Sequence, residues 1–295
     1  MMQLGAYLSQ YTSTFVKPFV RPSTAECYRR AYAAIPDPIL STDLTALDGM
    51  QLQAMLNAKA AMHPRAAQLL YSCLHRALAK AVVLGYIARN PSDACVKPVH
   101  HAARTGVLTA DQLAQYLQQA RSEPTFVLLL LMATCGLRRG EALGLCWSAV
   151  DLQEGTLQIR QQRLRVGGVY AVAPLKSAAS RRTLSIGAEL VTELRACRSA
   201  QKLHNLRGFL CDTNPSTLYK AHCRVLRRCG LPHVSLHSLR HSMATTAAGQ
   251  GCPIKILQGI LGHAKYDLTA DLYANHLSMD VFRPHLDAVA HVMLI

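Results

Sequence analysis

Two short clusters, one near the middle of the chain and one in its last quarter, combine arginine with glutamate or histidine. The first, Gly-Leu-Arg138-Arg-Gly-Glu141, joins an apolar segment to an amphipathic one. The second, His237-Ser-Leu-Arg240-His241, opens a predicted helix, and its i, i+3 and i+4 spacing puts the three numbered side chains on one face. Guanidinium forks and imidazole donors are groups that hold a phosphate. Taken alone, Arg138 would more often cap a helix or pair with Glu141, but the second cluster favours a phosphate site.

The two histidines of the second cluster also suggest a metal site. In the zinc protease pattern a glutamate follows the first histidine, whereas Ser238 stands at that position here. No acidic or cysteine third ligand is evident nearby in the sequence. We therefore predict no metal site.

A third cluster supplies a candidate nucleophile. It consists of Leu-Gly-His263 and, ten residues later, Tyr273 in Asp-Leu-Tyr-Ala-Asn-His. A lone tyrosine would more often be a packed helix residue. Beside two arginines and several histidines it becomes a candidate for covalent catalysis, because a neighbouring base and a positive field can activate its phenol.

These motifs, in this order, resemble those of the tyrosine recombinases, also called phage-type integrases. Lys176, in Pro-Leu-Lys-Ser ahead of Ser-Arg-Arg-Thr, is similar to the lysine that the family carries on a β-hairpin. The segments 21–28 and 85–91 are similar to phrases of the family's core-binding domain. Each motif is weak by itself, but five in the right order are specific, and the resemblance covers nearly the whole chain.

The resemblance implies site-specific cutting and rejoining of DNA through a covalent 3′-phosphotyrosyl intermediate, in the integration or excision of a phage or other mobile element. Tyr273 would attack the phosphodiester. Arg138, Arg240 and His263 would bind its non-bridging oxygens, where the transition state concentrates charge.

The remaining roles concern protons and orientation. His237 would exchange a proton with the tyrosine, and Lys176 would protonate the departing 5′-hydroxyl. Glu141 and His241 would orient the arginines and histidines. Because the phosphotyrosyl bond conserves the energy of the broken strand, the resemblance implies no ATP, metal or other cofactor, which agrees with the lack of a phosphate-binding glycine loop in the sequence.

The charge balance favours a polyanionic partner. The chain has 32 Lys and Arg against 17 Asp and Glu, a formal net charge of +15. The arginines are dispersed instead of forming a basic amphipathic helix, so double-stranded DNA is favoured over a membrane surface. Candidate DNA contacts come from the first domain, the hairpin and the helix after Pro215: Arg29, Arg30, Arg65, Arg76, Lys80, Arg181, Arg182, Lys220, Arg224, Arg227 and Arg228. The alternative for that last helix is a solvated basic surface.

The secondary structure predicted around these residues is that of a mainly α protein with a small antiparallel β-sheet, built as a two-domain DNA clamp. Residues 1–98 form an α-helical, SAM-like core-binding domain of at most four helices, including one that Ser23 or Thr24 caps. Residues 99–106 are a linker, and 107–295 form the α+β catalytic domain. Within it, periodicity predicts helices at 110–120 and 125–135 and strands at 156–163, 169–173 and 181–186.

Location and assembly follow from further patterns. The ten cysteines never form a Cys-x-x-Cys pair and lie mostly in apolar helical patterns, which predicts reduced thiols and a cytoplasmic protein. The longest apolar run, 126–135, is about half of what a bilayer requires. The amphipathic segment 278–295 predicts a helix that related recombinases pass to a neighbouring protomer, and therefore a tetramer on DNA. An accessory DNA-bending or directionality factor is a further partner that the resemblance allows.

Two rival functions stay open from the sequence. One is a topoisomerase-like enzyme that nicks and closes DNA without exchanging strands. The other is a DNA-binding regulator without catalysis, against which the intact catalytic set argues.

Overall fold

The computed structural model describes residues 2–100, 106–166, 169–175, 177–200 and 208–262. The chain divides into two compact units, Met1–Ala103 and Arg104–Ile295. Within the described residues most of the chain is helical and the strands form small antiparallel sheets, so the predicted fold class is confirmed.

The described residues of the first unit form helices joined by loops, with one isolated β-bridge between Gln3 and Asp43. The helices are α1 (Leu4–Tyr11), α2 (Pro22–Tyr32), α3 (Asp37–Leu40), α4 (Gly49–Met62) and α5 (Pro64–Val83), with short helical turns at Thr12–Val16, Leu44–Ala46 and Pro91–Ala94. The helix α5 packs against α4 and α2. Two buried tyrosines donate hydrogen bonds to backbone carbonyls of α5. The Tyr7 hydroxyl donates to the carbonyl of Ala77 at 2.6 Å, and the Tyr32 hydroxyl donates to the carbonyl of Cys73 at 3.0 Å.

Two expectations for this unit were wrong. The helix α2 begins at Pro22 and not after a Ser23 or Thr24 cap, because a proline in the first turn has its φ angle preset and needs no hydrogen-bond acceptor for its nitrogen. The short helix α3, with a proline in its first turn, brings the number of described α-helices to five where at most four were expected.

The second unit surrounds an apolar helix. The helices α6 (Ala110–Ala120), α7 (Phe126–Thr134) and α8 (Arg139–Gly144) precede the strands β1 (Val150–Asp151), β2 (Thr156–Ile159), β3 (Gln161–Val166), β4 (Val169–Pro174) and β5 (Arg182–Ser185). The helices α9 (Ala188–Ala200), α10 (Pro215–Arg228), α11 (Leu236–Gly249) and α12 (Ile254–Leu261) follow. Eight of the nine residues of α7 are buried, so it forms the centre of the core against which α6, α8 and α11 pack. Thr109 and Gln112 form a capping box at the start of α6.

The strands form two separate antiparallel sheets. One has the order β1-β2-β5 and the other pairs β3 with β4. The single strand expected at 156–163 is therefore wrong: it divides at Arg160 between the two sheets. The reason lies in Gly144 of α8, where a Cβ atom would lie 2.8 Å from the backbone of Gln162. This close approach packs β3 directly against α8, while Leu157 and Ile159 of β2 stay in the core.

Two further properties of the described residues concern membrane-spanning helices and the cysteine thiols. Among those residues no helix is both long and apolar enough to cross a bilayer. All ten cysteines carry free thiols.

A buried histidine joins α10 to α6. The His222 Nε2 atom lies 2.9 Å from the carbonyl oxygen of Val234, which can only accept, so this nitrogen donates. The Nδ1 atom then accepts from the Tyr116 hydroxyl at 2.8 Å. Burial lowers the pKa of His222 from its ordinary value of 6.5, because a charged ring would lose its water and would have to donate from both nitrogens.

We expect this pair to make stability depend on pH. Since the native pKa is depressed, the unfolded chain binds a proton that the native protein does not, and the free energy of unfolding decreases as the pH falls below about 6.5. Urea unfolding between pH 7.5 and 5.5 measures this slope. The slope should be smaller in His222→Gln, and an equal slope in that variant and the wild type would contradict the assignment.

Candidate catalytic site

The first arginine motif lies where α7, α11 and α12 meet. Gly136, which follows α7, has φ +63°, and a Cβ atom there would lie 2.3 Å from Met243 Cε and 2.9 Å from Leu261 Cδ2. Only glycine tolerates both this backbone and this proximity. The turn therefore brings Arg138, at the start of α8, next to α11 and α12.

Glu141 is the buried carboxylate at the centre of the site. Its side chain is 2% exposed, and its two oxygens accept hydrogen bonds from two arginines. Oε1 accepts from Arg138 Nη1 at 2.7 Å, and Oε2 accepts from Arg182 Nη2 at 2.9 Å and from the Arg138 backbone N–H at 3.0 Å. Burial alone would raise the pKa of Glu141, but the hydrogen bonds and charges of Arg182 and then Arg138 outweigh it, so the pKa lies below its ordinary value. Glu141 is therefore ionised.

Arg240 is the most deeply buried arginine of the site. The residue is 2% exposed, and its Nη1 and Nη2 atoms donate to the carbonyls of Gly136 at 2.6 Å and Leu261 at 2.7 Å. These carbonyls lie just past the end of α7 and at the end of α12, where the helix dipole favours a cation. Burial and the positive charge of Arg138 lower the pKa of Arg240 to about 9, against the opposing effect of Glu141. The site thus concentrates positive charge.

The end of α12 holds the two arginine motifs together. Gly262 ends the helix in a left-handed conformation with φ 63°, and its carbonyl accepts from Arg138 Nη2 at 3.0 Å. The preceding carbonyl, that of Leu261, accepts from Arg240. Consecutive carbonyls therefore fix two arginines that are about a hundred residues apart in sequence, immediately before the predicted His263.

The two histidines of α11 lie against each other. The rings of His237 and His241 have their centroids 4.6 Å apart, edge to face. Partial loss of water around the ring, and next the charges of His241, Arg240 and Arg138, lower the pKa of His237 to about 4, against the opposing charge of Glu141. His237 is nevertheless exposed at the surface. With this pKa the ring is neutral at neutral pH, and a nearby anion that raised the pKa would make it a proton acceptor.

Three predicted catalytic residues, Lys176, His263 and Tyr273, lie outside the described residues. The predicted helix 278–295 does so as well. Their roles stay predictions from the sequence.

Sequence reasoning missed the position of Arg182, which was expected to contact DNA. Its side chain is only 6% exposed and pairs with Glu141, whereas its neighbour Arg181 is exposed. Alternation along a strand could have signalled this difference, because successive side chains point to opposite faces. The sequence did not indicate which of the two arginines faces inward.

The basic helix α10 has two kinds of arginine and lysine. Arg224 and Arg228 pair with the buried carboxylate of Glu123 at 2.6 and 2.9 Å, which ties α10 to the loop before α7. Burial opposes ionisation of Glu123, but the hydrogen bond from Arg224 prevails and lowers its pKa. Lys220 and Arg227 are exposed.

The candidate DNA contacts of the first unit differ in their surroundings. Arg29 and Arg30 are exposed and pair with Glu26 at 2.6 and 2.9 Å. Arg76 donates to the Tyr28 hydroxyl at 3.3 Å, and the Lys80 ammonium lies 4.9 Å from the centre of the Phe15 ring. Arg65 lines an open groove together with His63, Lys97 and His100.

Within the described residues, no three His, Cys, Asp or Glu side chains come together in a way that could hold a metal ion. The functional groups that the described residues bring to the site are guanidiniums, imidazoles and the carboxylate of Glu141.

Comparison with known proteins agrees with the motifs. The family model described as the phage integrase family matches residues 106–279, more than half of the chain. The chain is similar to a tyrosine recombinase XerC-like protein of Caldanaerobacter subterraneus, with 26% identity over 227 residues that cover 66% of this chain and 58% of the relative. The first curated relatives are thus matched over only 54–64% of their length.

Solved structures share the fold. The Tn1549 transposon integrase, in complex with circular intermediate DNA, matches 98% of this chain and 100% of its own with a TM-score of 0.79 and 17% identity. A lambda integrase tetramer bound to a Holliday junction matches 90% of this chain and 78% of its own with a TM-score of 0.66 and 20% identity. At these identities the likeness shows the fold, and the family model shows the membership. The chain belongs to the phage integrase family, that of the tyrosine recombinases.

Proposed function

We propose that this protein is a site-specific DNA recombinase that cuts and rejoins DNA through a covalent 3′-phosphotyrosyl intermediate. One observation carries the proposal: the Arg138 and Arg240 motifs converge on the consecutive carbonyls of Leu261 and Gly262, directly before the predicted His263. We propose that its reaction integrates or excises a phage or other mobile element. The likeness in fold to a transposon integrase in complex with circular intermediate DNA supports this.

The charges of the site suit a phosphodiester. Among the described residues, the three guanidiniums of Arg138, Arg182 and Arg240 lie around the carboxylate of Glu141, which leaves an excess of positive charge there. Arg138 has a side chain that is 34% exposed and can meet a ligand. In a partly buried site such charges stabilise the anionic transition state much more than they would in water.

The proposed proton transfers follow the family's order. The Tyr273 oxygen attacks phosphorus as its proton passes to His237, whose low pKa keeps it neutral before DNA binds. The bond from phosphorus to the 5′-oxygen breaks, and Lys176 supplies the proton to that oxygen. A phosphate beside His237 would raise the histidine's pKa and so favour this transfer. In the second step the 5′-hydroxyl of another strand gives its proton to Lys176 and attacks phosphorus. The bond from phosphorus to the Tyr273 oxygen breaks, and that oxygen takes back the proton held by His237.

We propose double-stranded DNA as the partner of both units. The net charge of +15 supports this, as do the exposed basic residues on α2 and α10.

We also propose assembly into a tetramer through 278–295, supported by the amphipathic pattern of that segment and by the fold shared with an integrase that is tetrameric on a Holliday junction. The family resemblance alone supports an accessory bending or directionality factor, and the cysteine pattern supports a cytoplasmic location.

A plasmid assay tests the proposed reaction. The plasmid carries two copies of the attachment site, taken from the DNA that flanks the gene, and the assay contains EDTA and no ATP. We expect deletion or inversion of the DNA between the sites, and no rearrangement of a matched plasmid with one site. Relaxation of both plasmids without rearrangement would instead indicate the topoisomerase-like enzyme. Binding to the sites with no covalent adduct would indicate the regulator.

A further inference from the structure

We propose that Arg182 is a positioning residue for the recombination reaction: it holds Glu141 and the end of α12 and thereby sets the orientation of Arg138 toward the scissile phosphate. This inference rests on the proposed function. It assigns to Arg182 a role in cleavage that differs from the DNA contact expected from the sequence.

The contact with Glu141 is the first support. Arg182 opens β5, where it pairs in register with Ile159 of β2, and its side chain reaches the carboxylate that also binds Arg138. Each oxygen of Glu141 has its own guanidinium, Oε1 that of Arg138 and Oε2 that of Arg182. Without Arg182, a carboxylate that is 2% exposed would keep only one of its two cationic partners. A buried charge with an incomplete set of partners shifts or takes up a proton, and its hold on Arg138 weakens.

The contact with Gly262 is the second support. A Cβ atom at Gly262 would lie 3.0 Å from Arg182 Nη1 and 3.2 Å from the carbonyl of Ala179, so Arg182 packs directly on this glycine. The Gly262 carbonyl is the other acceptor of the Arg138 guanidinium. Arg182 therefore touches both the carboxylate of Glu141 and the glycine whose carbonyl binds Arg138.

Burial shows that Arg182 acts through these groups. Its side chain is 6% exposed, against 34% for Arg138. Its Nη1 atom also donates to the Ser180 carbonyl at 3.1 Å, which fixes the guanidinium within its own loop. A side chain held in this way has little surface to offer to DNA.

The arrangement implies a pH dependence. Glu141 faces Arg138 at the start of α8, Arg182 on β5, and Arg240 and His237 on α11. Removing Arg182 takes away the largest effect that lowers the pKa of Glu141. The defect of an Arg182 variant should therefore become larger as the pH falls, because a protonated Glu141 has lost the charge that holds Arg138.

The test compares cleavage with binding. Single-turnover formation of the covalent adduct on a nicked half-site is measured at saturating DNA for wild type, Arg182→Gln and Arg182→Lys, together with the dissociation constant of each. We expect Arg182→Gln to cleave about 100-fold more slowly, as a displaced catalytic group does, with DNA affinity within about threefold of wild type. Arg182→Lys should recover part of the rate, since it restores the charge without the fork. The exposed Arg195, which donates to the Leu152 carbonyl, gives the matched control Arg195→Gln, with wild-type rates expected.

A double variant separates positioning from a general loss of structure. In a Glu141→Gln background, the further replacement of Arg182 by Lys or Gln should reduce cleavage much less than it does alone, because both act on Arg138 by one route. If Arg182→Gln does not fold, as judged by thermal unfolding, Arg182→Lys serves for the same cycle. Three results would overturn the inference: additive losses in the double variant, wild-type cleavage by Arg182→Gln, or a loss in that variant that is confined to DNA affinity. In each case the proposed function would still hold, provided that the wild-type protein forms the adduct. No adduct with wild-type protein would overturn both.

Discussion

A Tyr273→Phe variant is expected to bind DNA as the wild type does and to form no covalent adduct. Phenylalanine keeps the ring but lacks the oxygen that attacks phosphorus, so the loss should be complete and not partial. The measurement is trapping on a suicide substrate, a half-site with a nick close to the scissile phosphate, followed by electrophoresis in detergent. The cut strand diffuses away and cannot be rejoined, so each cleavage event is retained as a protein-DNA adduct.

The matched control for this prediction is Tyr266→Phe. Both tyrosines follow His263 and lie outside the described residues, but only Tyr273 has the family's spacing and its Tyr-Ala-Asn-His context. Tyr266→Phe should therefore give the wild-type amount of adduct. An adduct that persists in Tyr273→Phe would show that another residue is the nucleophile.

The second large effect is expected for Arg138→Lys. Lysine carries the same charge but is a point donor, and it cannot donate at once to Glu141, to the Gly262 carbonyl and to a phosphate oxygen, as the arginine fork can. Loss of one donor to a transition-state oxyanion costs roughly 3–4 kcal/mol, which corresponds to cleavage slower by about 100- to 1,000-fold. DNA affinity should change little, because many other basic residues contribute to binding.

Single-turnover cleavage at saturating DNA measures this effect. The adjacent Arg139→Lys is the control, since Arg139 is exposed and follows Arg138 directly. It should cleave at the wild-type rate. Arg138→Lys is a cleaner test than Arg240→Lys, because Arg240 is buried and holds the carbonyls of Gly136 and Leu261, so its replacement would also disturb folding. Full recombination by Arg138→Lys would remove this residue from the proposed site.

Local patterns in the sequence were enough to predict much of the architecture. The helix predicted at 110–120 matches α6, and the helix predicted after Pro215 matches α10, because apolar periodicity and start signals such as a proline in the first turn act within a few residues. The order of the motifs was also enough to identify the family, which the family model confirms. The assignments of Lys176, His263 and Tyr273 stay predictions from those motifs.

Only the tertiary structure decided which basic residues serve the site and which serve the fold. The sequence does not distinguish Arg182 and Arg224 from the other arginines. In the structure each pairs with a buried glutamate, which lies 41 residues away for Arg182 and 101 residues away for Arg224. The division of the strand at Arg160 likewise depends on the contact of Gly144 with the backbone of Gln162. Pairings at such separations depend on how helices and strands pack in three dimensions, and the periodicity of a single segment carries no information about them.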